Sequence, residues 1–157
     1  MRKITVASTP EQIETIRALF REYEASLETD LCFQGFEREL AELPGDYAPP
    51  RGTLLLASVD GETAGCIALR AFDGDRCEMK RLYVRPAFRG TGLGGALARR
   101  IIDDAARMGY RAIRLDTLPS MQTAIAMYRA LGFAEIPAYR YNPIPGALYF
   151  EKSLQRS

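Results

Sequence analysis

The stretch that most restricts the fold covers residues 78–98, where a strand pattern runs through a cluster of glycines into a helix pattern. Glu78 to Val84 carries long, branched and aromatic side chains and predicts a strand. Pro86 cannot donate to a sheet ladder, so the strand is expected to stop near Val84. Four glycines, Gly90, Gly92, Gly94 and Gly95, then fall within six residues. Leu93, Leu97, Ile101, Ile102, Ala105 and Met108 recur at helical spacing, so a helix starts inside the glycine run. A helix start of this kind leaves backbone N–H groups unbonded at the positive end of the helix dipole, a site suited to phosphate. Charge agrees: residues 79–102 hold Lys80, Arg81, Arg85, Arg89, Arg99 and Arg100 and no acid. The chain is expected to bind a phosphorylated ligand at this turn.

The run Gly90-Thr91-Gly92-Leu93-Gly94-Gly95 also fits the dinucleotide pattern G-x-G-x-x-G, with Asp116 at the end of a later apolar run. In a dinucleotide fold the glycines follow the strand at once, usually in the first βαβ unit. Here residues 85–89 intervene, and two predicted hairpins come first. An NAD(P)-binding oxidoreductase is therefore the less favoured reading. Arg89-Gly90-Thr91-Gly92-Leu93-Gly94 has instead the form Arg-x-x-Gly-x-Gly, which resembles the acetyl-CoA motif of the GCN5-related N-acetyltransferase (GNAT) superfamily. Downstream, Ala124, Tyr128 and the pair Gly132-Phe133 resemble that family's second signature. The two motifs stand in the family's order, separated by a helix and a strand. With the hairpins before them they cover about the last two thirds of the chain.

A length of 157 residues suits one domain, residues 1–157, large enough to bury a proper core. Hydrophobic residues at 47% and charged residues at 26% are ordinary for a soluble globular protein. No apolar run reaches the length of a membrane span, and the N-terminus lacks a signal peptide's apolar centre, so no membrane partner is expected. Cys32, Cys66 and Cys77 are odd in number and widely spaced, which points to reduced thiols in a cytoplasm. Histidine is absent, which removes Ser-His-Asp triads, Cys-His pairs and His-ligated zinc and makes a metal-free mechanism the default. A net charge of +1 argues against broad nucleic-acid binding. Ten acids between Glu11 and Asp46 face only Arg17, Arg21 and Arg38. They either solvate two surface helices or, in part, attract a cationic amine.

Residues 3–7 read as a short strand. Thr9 suits an N-cap, Pro10 the first helical position, and Gln12 completes a capping box. Ile13, Ile16, Leu19, Phe20 and Tyr23 then mark one face of a helix to about Leu27. Residues 36–43 suggest a second short helix, and Pro44-Gly45 and Pro49-Pro50 an exposed connection. Residues 53–59 and 63–72 form a hairpin about Asp60-Gly61. A second hairpin turns at residues 73–75 into the strand bearing Glu78. After the glycine-run helix come a strand at 112–117, a helix at 120–131 closed by Gly132, and strands at 133–137 and 147–152. The fold class is α/β (α+β): one mixed, mostly antiparallel sheet flanked by helices on both faces. That order is also the one the family resemblance implies.

The resemblance implies an N-acetyltransferase that moves an acetyl group from acetyl-CoA directly to a primary amine in a ternary complex. A small-molecule or amino-acid-like acceptor is the expected substrate. A non-catalytic acyl-CoA sensor would carry the same binding residues and is the alternative. Tyr128 is expected near the cofactor sulfur, where a phenol can protonate the departing thiolate. Glu78 precedes Arg89 by the spacing of the family's lysine-deprotonating glutamate, and a dehydrated carboxylate of raised pKa would serve as base. The rival reading for Glu78 is a strand glutamate paired with Lys80 or an arginine, and Asp116 is the second candidate base. The resemblance further implies that Leu82, Tyr83 and Val84 offer main-chain groups to the pantetheine arm. Pyrophosphate would rest on Arg89, Gly90, Thr91, Gly92, Leu93 and Gly94, with Arg85 as a further source of charge. The apolar run Leu31, Cys32, Phe33 and Phe36 lines the acceptor pocket or is plain core. One departure stands out: the family often carries an asparagine seven residues before the tyrosine, and Met121 occupies that position. Thr117 or Ser120 is then left to make that contact. Members with this fold often form homodimers, and the sequence leaves the assembly open.

Overall fold

The computed structural model describes residues 1–27, 35–142 and 144–154. Strand β1 (Arg2–Val6) leads to helix α1 (Pro10–Ser26), where Thr9 and Gln12 form the predicted capping box. Helix α2 (Phe36–Glu42) follows, then the expected connection, exposed at Pro44, Gly45, Pro49 and Pro50, whose 3₁₀ turn, Gly45–Tyr47, buries Tyr47. Strands β2 (Thr53–Val59), β3 (Glu62–Asp73) and β4 (Arg76–Val84) form a meander. Asp60 and Gly61 both take positive φ, 51° and 84°, as a two-residue turn matched to strand twist demands. Helix α3 (Leu93–Arg107), β5 (Ala112–Thr117), α4 (Gln122–Ala130), β6 (Ala134–Ile136) and β7 (Leu148–Ser153) complete the chain.

The strands form one sheet in the order β1-β2-β3-β4-β5-β7-β6. Only β4 and β5 run parallel; the other neighbours are antiparallel, as the sequence predicts. Each face of the sheet has its own core. Leu93, Leu97 and Ile101 of α3 and Ile125 and Tyr128 of α4 pack with Met79, Ile113 and Leu115 on one face. Ile16, Leu19 and Phe20 of α1, with Phe36 and Leu40 of α2, pack with Cys66, Ala68 and Tyr83 on the other. Leu19 and Phe20 are fully buried, each burial contributing about 1.5–3 kcal/mol.

Two departures from regular pairing shape the middle of the sheet. Cys66 pairs with Tyr83 and Ala68 with Lys80, so two steps on β3 span three on β4, a bulge. Arg81 sits inside it at φ 61°, a conformation rare for a residue with a Cβ. The strain is held by a bidentate pair to Glu39 of α2 at 2.9 and 3.0 Å, with the guanidinium over the Phe36 ring at 5.2 Å. The second departure is that β4 and β5 pair only at Arg76↔Ala112, Cys77↔Ile113 and Glu78↔Arg114, then part.

Candidate active site

Beyond Glu78↔Arg114 the residues from Met79 to Val84 have no strand neighbour on the β5 side. Their main-chain N–H and C=O groups on that side line a cleft in the middle of a sheet. Met79, Leu82, Leu115, Thr117, Met121 and Tyr128 line it from the strands and α4, Tyr23 from α1, and Asn142 and Ile144 from the β6–β7 loop. A second recess continues it past Tyr83 and Val84 to Arg89 and Ser120, with a volume of about 370 Å³. Leu82, Tyr83, Val84 and Arg89, all named from the sequence, therefore border one continuous groove.

The glycine turn closes one end of that groove. A 3₁₀ turn, Pro86–Phe88, fills the interval between β4 and the glycines. Gly90 and Gly92 take φ 78° and 83°, which explains why glycine stands at both positions. Gly92 is the N-cap of α3 and offers no side chain to it, so among the described residues no side-chain cap takes up the first-turn N–H groups. Leu93 is buried and anchors the helix start, while Gly94 faces Val84: a Cβ there would lie 3.8 Å from Val84 Cγ2. Thr91 Oγ1 donates to the Phe88 carbonyl at 2.7 Å, and Arg2 donates to the Thr91 carbonyl at 2.5 Å. Arg89 Nε donates to the Val84 carbonyl at 2.8 Å, its guanidinium 5.7 Å from the centre of the Tyr83 ring. Exposed amides, positive dipole and an arginine side by side suit a pyrophosphate. Arg85 does not join them. It is turned to α1, where Glu22 takes it at 2.8 and 3.0 Å.

The glycine motif lies in a βαβ unit, β4–α3–β5, with the predicted hairpins before it and residues 85–89 between strand and glycines. What separates it from a dinucleotide fold is the parting of the two strands after three residue pairs and the meander before it.

Tyr128 is 5% exposed and edges against Phe133 at 5.9 Å between ring centres. Gly132, at φ 98°, ends α4 and returns the Phe133 N–H to the Tyr128 carbonyl at 3.0 Å, which fixes the ring's position. No hydrogen bond to its hydroxyl occurs among the described residues. Burial, followed by the neighbouring Tyr23 and Asp116, raises its pKa, so the phenol keeps its proton at neutral pH.

Glu78 is buried and paired with arginines, the rival reading given for it from the sequence. Its carboxylate accepts from Arg70 at 3.1 Å, from Arg140 at 2.7 Å and from the Tyr139 hydroxyl at 2.8 Å. Burial alone pushes its pKa up; the charges of Lys80, Arg140 and Arg70 outweigh that and leave it below 4.5. The expected raised pKa is therefore corrected: two arginines hold the group ionised. Asp116, the second candidate, lines the cleft from β5, with no hydrogen bond or ion pair among the described residues. Ile113 and Leu115 turn into the α3–α4 core, which puts Asp116 on the opposite face by strand alternation.

Lys80, 6% exposed, also lines the cleft, whereas the sequence suggested it only as a partner of Glu78 and a charge near the glycine turn. Burial lowers its pKa to about 8 against the upward pull of Glu78 and Asp116. The signal was there: Lys80 is two residues from Glu78, which puts both on one face of β4. Tyr139, Arg140 and Asn142 come from an irregular loop and carried no periodic signal. Met121 packs against Thr117, whose Oγ1 lies 3.7 Å from Sδ, and Thr117 and Asn142 stand nearby with polar groups in the cleft. Ser120 borders the outer recess. Leu31, Cys32 and Phe33 lie outside the described residues, whereas Phe36 is core. Of the N-terminal acids, Glu22 and Glu39 are paired to Arg85 and Arg81, and Glu14, Glu37 and Glu42 to Arg17, Arg21 and Arg38. These five of the ten acids are therefore paired with arginines, and Glu28 and Asp30 lie outside the described residues.

Comparison with known proteins agrees with this geometry. The sequence profile of the acetyltransferase (GNAT) family matches residues 13–133. An uncharacterised N-acetyltransferase of Schizosaccharomyces pombe is 37% identical over 155 residues, which cover 98% of this chain and 95% of that protein. Among solved structures, an acetyltransferase of the GNAT family from Staphylococcus aureus superposes with a TM-score of 0.81 at 18% identity, covering 99% of this chain and 100% of that one. A proposed acetyltransferase of Salmonella typhimurium, solved with its cofactor acetyl-CoA, gives 0.68 at 22% identity and covers 100% and 96%. The two structural likenesses establish a shared fold.

Proposed function

The chain belongs to the acetyltransferase (GNAT) family and is an N-acetyltransferase, and from that premise we propose that it takes acetyl-CoA as donor and acetylates the primary amine of a small-molecule or amino-acid-like acceptor by direct transfer. The parting of β4 and β5 after Glu78↔Arg114 carries the reading, because it leaves a bare strand edge between the glycine turn and Tyr128. Acetyl-CoA supplies an activated thioester whose carbonyl carbon receives the amine's lone pair as the carbon–sulfur bond breaks. The turn from Arg89 to Gly94 binds the pyrophosphate, and main-chain groups of Leu82 to Val84 align the pantetheine arm. The Leu82 N–H is the donor to the thioester oxygen. Tyr128, protonated and buried, delivers its proton to the departing thiolate, and the second proton that the nitrogen sheds as the amide forms restores the phenol. Asp116 takes the proton that the acceptor ammonium must lose, since it is the carboxylate in the cleft without a cation bound to it among the described residues. Glu78, saturated by Arg70 and Arg140, positions the loop that carries Arg140 and does not itself move a proton.

The test is thiol release from acetyl-CoA with a panel of primary amines, read with a thiol-reactive dye, together with the shift in melting temperature that acetyl-CoA produces. Amine-dependent release in the wild type that falls in both Asp116→Asn and Tyr128→Phe is expected. Release that never exceeds background hydrolysis for any amine would remove the enzymatic assignment.

A further inference from the structure

Strand β4 and the β6–β7 loop meet in a cluster whose charges do not cancel among the described residues. Glu78, 0% exposed, is the shared partner of Arg70 at 3.1 Å and Arg140 at 2.7 Å, so two guanidiniums stand on one carboxylate. Neither arginine has a second anion among the described residues. Their side chains are 25% and 22% exposed, so neither is sealed from solvent by its pairing with Glu78. Arg140 is fixed from three sides: by Glu78, by the Tyr139 ring 5.1 Å beneath its guanidinium, and by Tyr149, whose hydroxyl donates to the Arg140 carbonyl at 3.0 Å. The same loop reaches the cleft two and four residues later, through Asn142 and Ile144. The charge of Asp116, inside the cleft, adds to that of Glu78 in keeping Arg140 protonated against its burial.

A fixed guanidinium with spare N–H donors matches a carboxylate in geometry and charge. A carboxylate there would offset the uncompensated cation, whereas a neutral group would leave it partly desolvated and unpaired. On the reading of an amine acetyltransferase, we infer that Arg140 selects the acceptor by binding a free carboxylate, so that the substrates are amino acids placed with the ammonium toward Asp116 and the carboxylate on Arg140. Asp116 in the cleft and Arg140, two residues before Asn142 of the cleft wall, carry the two signs of charge that such a zwitterion requires.

The experiment compares each of the common amino acids with its own carboxamide as acceptor, by thiol release at saturating acetyl-CoA. At least one free amino acid is expected to exceed its amide in kcat/KM by roughly 100-fold or more, because an unmet charged donor discriminates strongly. Arg140→Gln should raise KM for that amino acid about 100-fold with kcat nearly kept, and Arg140→Lys should recover part of the loss. Tyr139→Phe removes a Glu78 contact but no charge, and should keep the preference for the free acid, which separates recognition from a general disturbance of the cluster. Amides equal to or better than the acids in every pair, or an acid-to-amide ratio unaltered in Arg140→Gln, overturns the inference. If acetyl-CoA raises the melting temperature and amines without a carboxylate are the ones acetylated, the carboxylate inference falls alone. If acetyl-CoA produces no shift, the coenzyme reading falls with it.

Discussion

The Glu78 carboxylate and the Arg140 guanidinium lie 2.7 Å apart although 62 positions separate them in the chain. The contact ties the loop that precedes β7 to the strand where β4 leaves β5, and so fixes one wall of the cleft. Replacing the charge by an amide strands two partly buried guanidiniums, and Glu78→Gln is expected to lose about 3–5 kcal/mol in chemical denaturation. The folded pKa of Glu78 is below 4.5, so its contribution is present above that pH and lost as pH falls through the folded value. The stability gap between wild type and Glu78→Gln should accordingly close in acid. Turnover distinguishes positioning from catalysis: kcat should fall by no more than about tenfold, against the roughly 100- to 10,000-fold typical of a lost general base. A larger loss in a folded variant would return the base role to Glu78.

Gly92 holds φ 83° at the mouth of α3, and the nearest atom to a Cβ there is Arg2 Nη2 at 3.8 Å. Space is therefore available and the backbone is the obstacle, at about 1–2 kcal/mol for a residue with a Cβ. Gly92→Ala should relax the turn in the free protein and pay the strain on binding, weakening acetyl-CoA about tenfold by calorimetry. Gly94→Ala is the control, since its Cβ would meet only an ordinary contact with Val84 and its helical backbone is unstrained. Equal weakening in both would show that bulk, not backbone conformation, governs the turn.

Period and punctuation made most of the scaffold legible. The Thr9–Gln12 capping box, the Asp60-Gly61 turn, the apolar spacing from Leu93 to Ala105 and Gly132 as a stop are local signals, and each fixed an element to within a residue or two. The parting of β4 from β5 is not local. The Arg81 bulge beside it has no local signal either, since its left-handed position is held by an arginine where glycine would be favoured. For Glu78 the ion-paired reading was available from the sequence, but the identity of its arginines was not, because they come from β3 and from a loop 62 residues away. Asp116 and Lys80 lay in plain view as the polar members of alternating strands, and only the packing of both faces shows that each turns into the cleft.

Tyr128 packs its ring against Phe133 and Phe150, at 5.9 and 6.4 Å between centres, while its hydroxyl has no hydrogen bond among the described residues. Tyr128→Phe keeps that packing and should leave the melting temperature and acetyl-CoA affinity close to those of the wild type. The thiolate then departs without its proton donor, and kcat should drop about 100-fold or more. An unchanged kcat would assign the ring to packing and leave the leaving group to water.

Lys80 provides the pH test of the cleft's electrostatics. Burial lowers its pKa from 10.5 to about 8, with Glu78 and Asp116 opposing the shift and Arg81 and Arg70 assisting it. Between these two values the unfolded chain holds a proton that the folded protein has released, so unfolding free energy rises with pH across that window. The cost of burying the ammonium is fully present below about pH 8 and gone above 10.5. Lys80→Met lacks this titration. Measured by urea unfolding from pH 7 to 10.5, the wild type should gain on the variant by up to about 3 kcal/mol, nearly all of it above pH 8. A constant difference would mean that the folded protein keeps the ammonium charged, and the acceptor cleft would then carry one more fixed positive charge at every working pH.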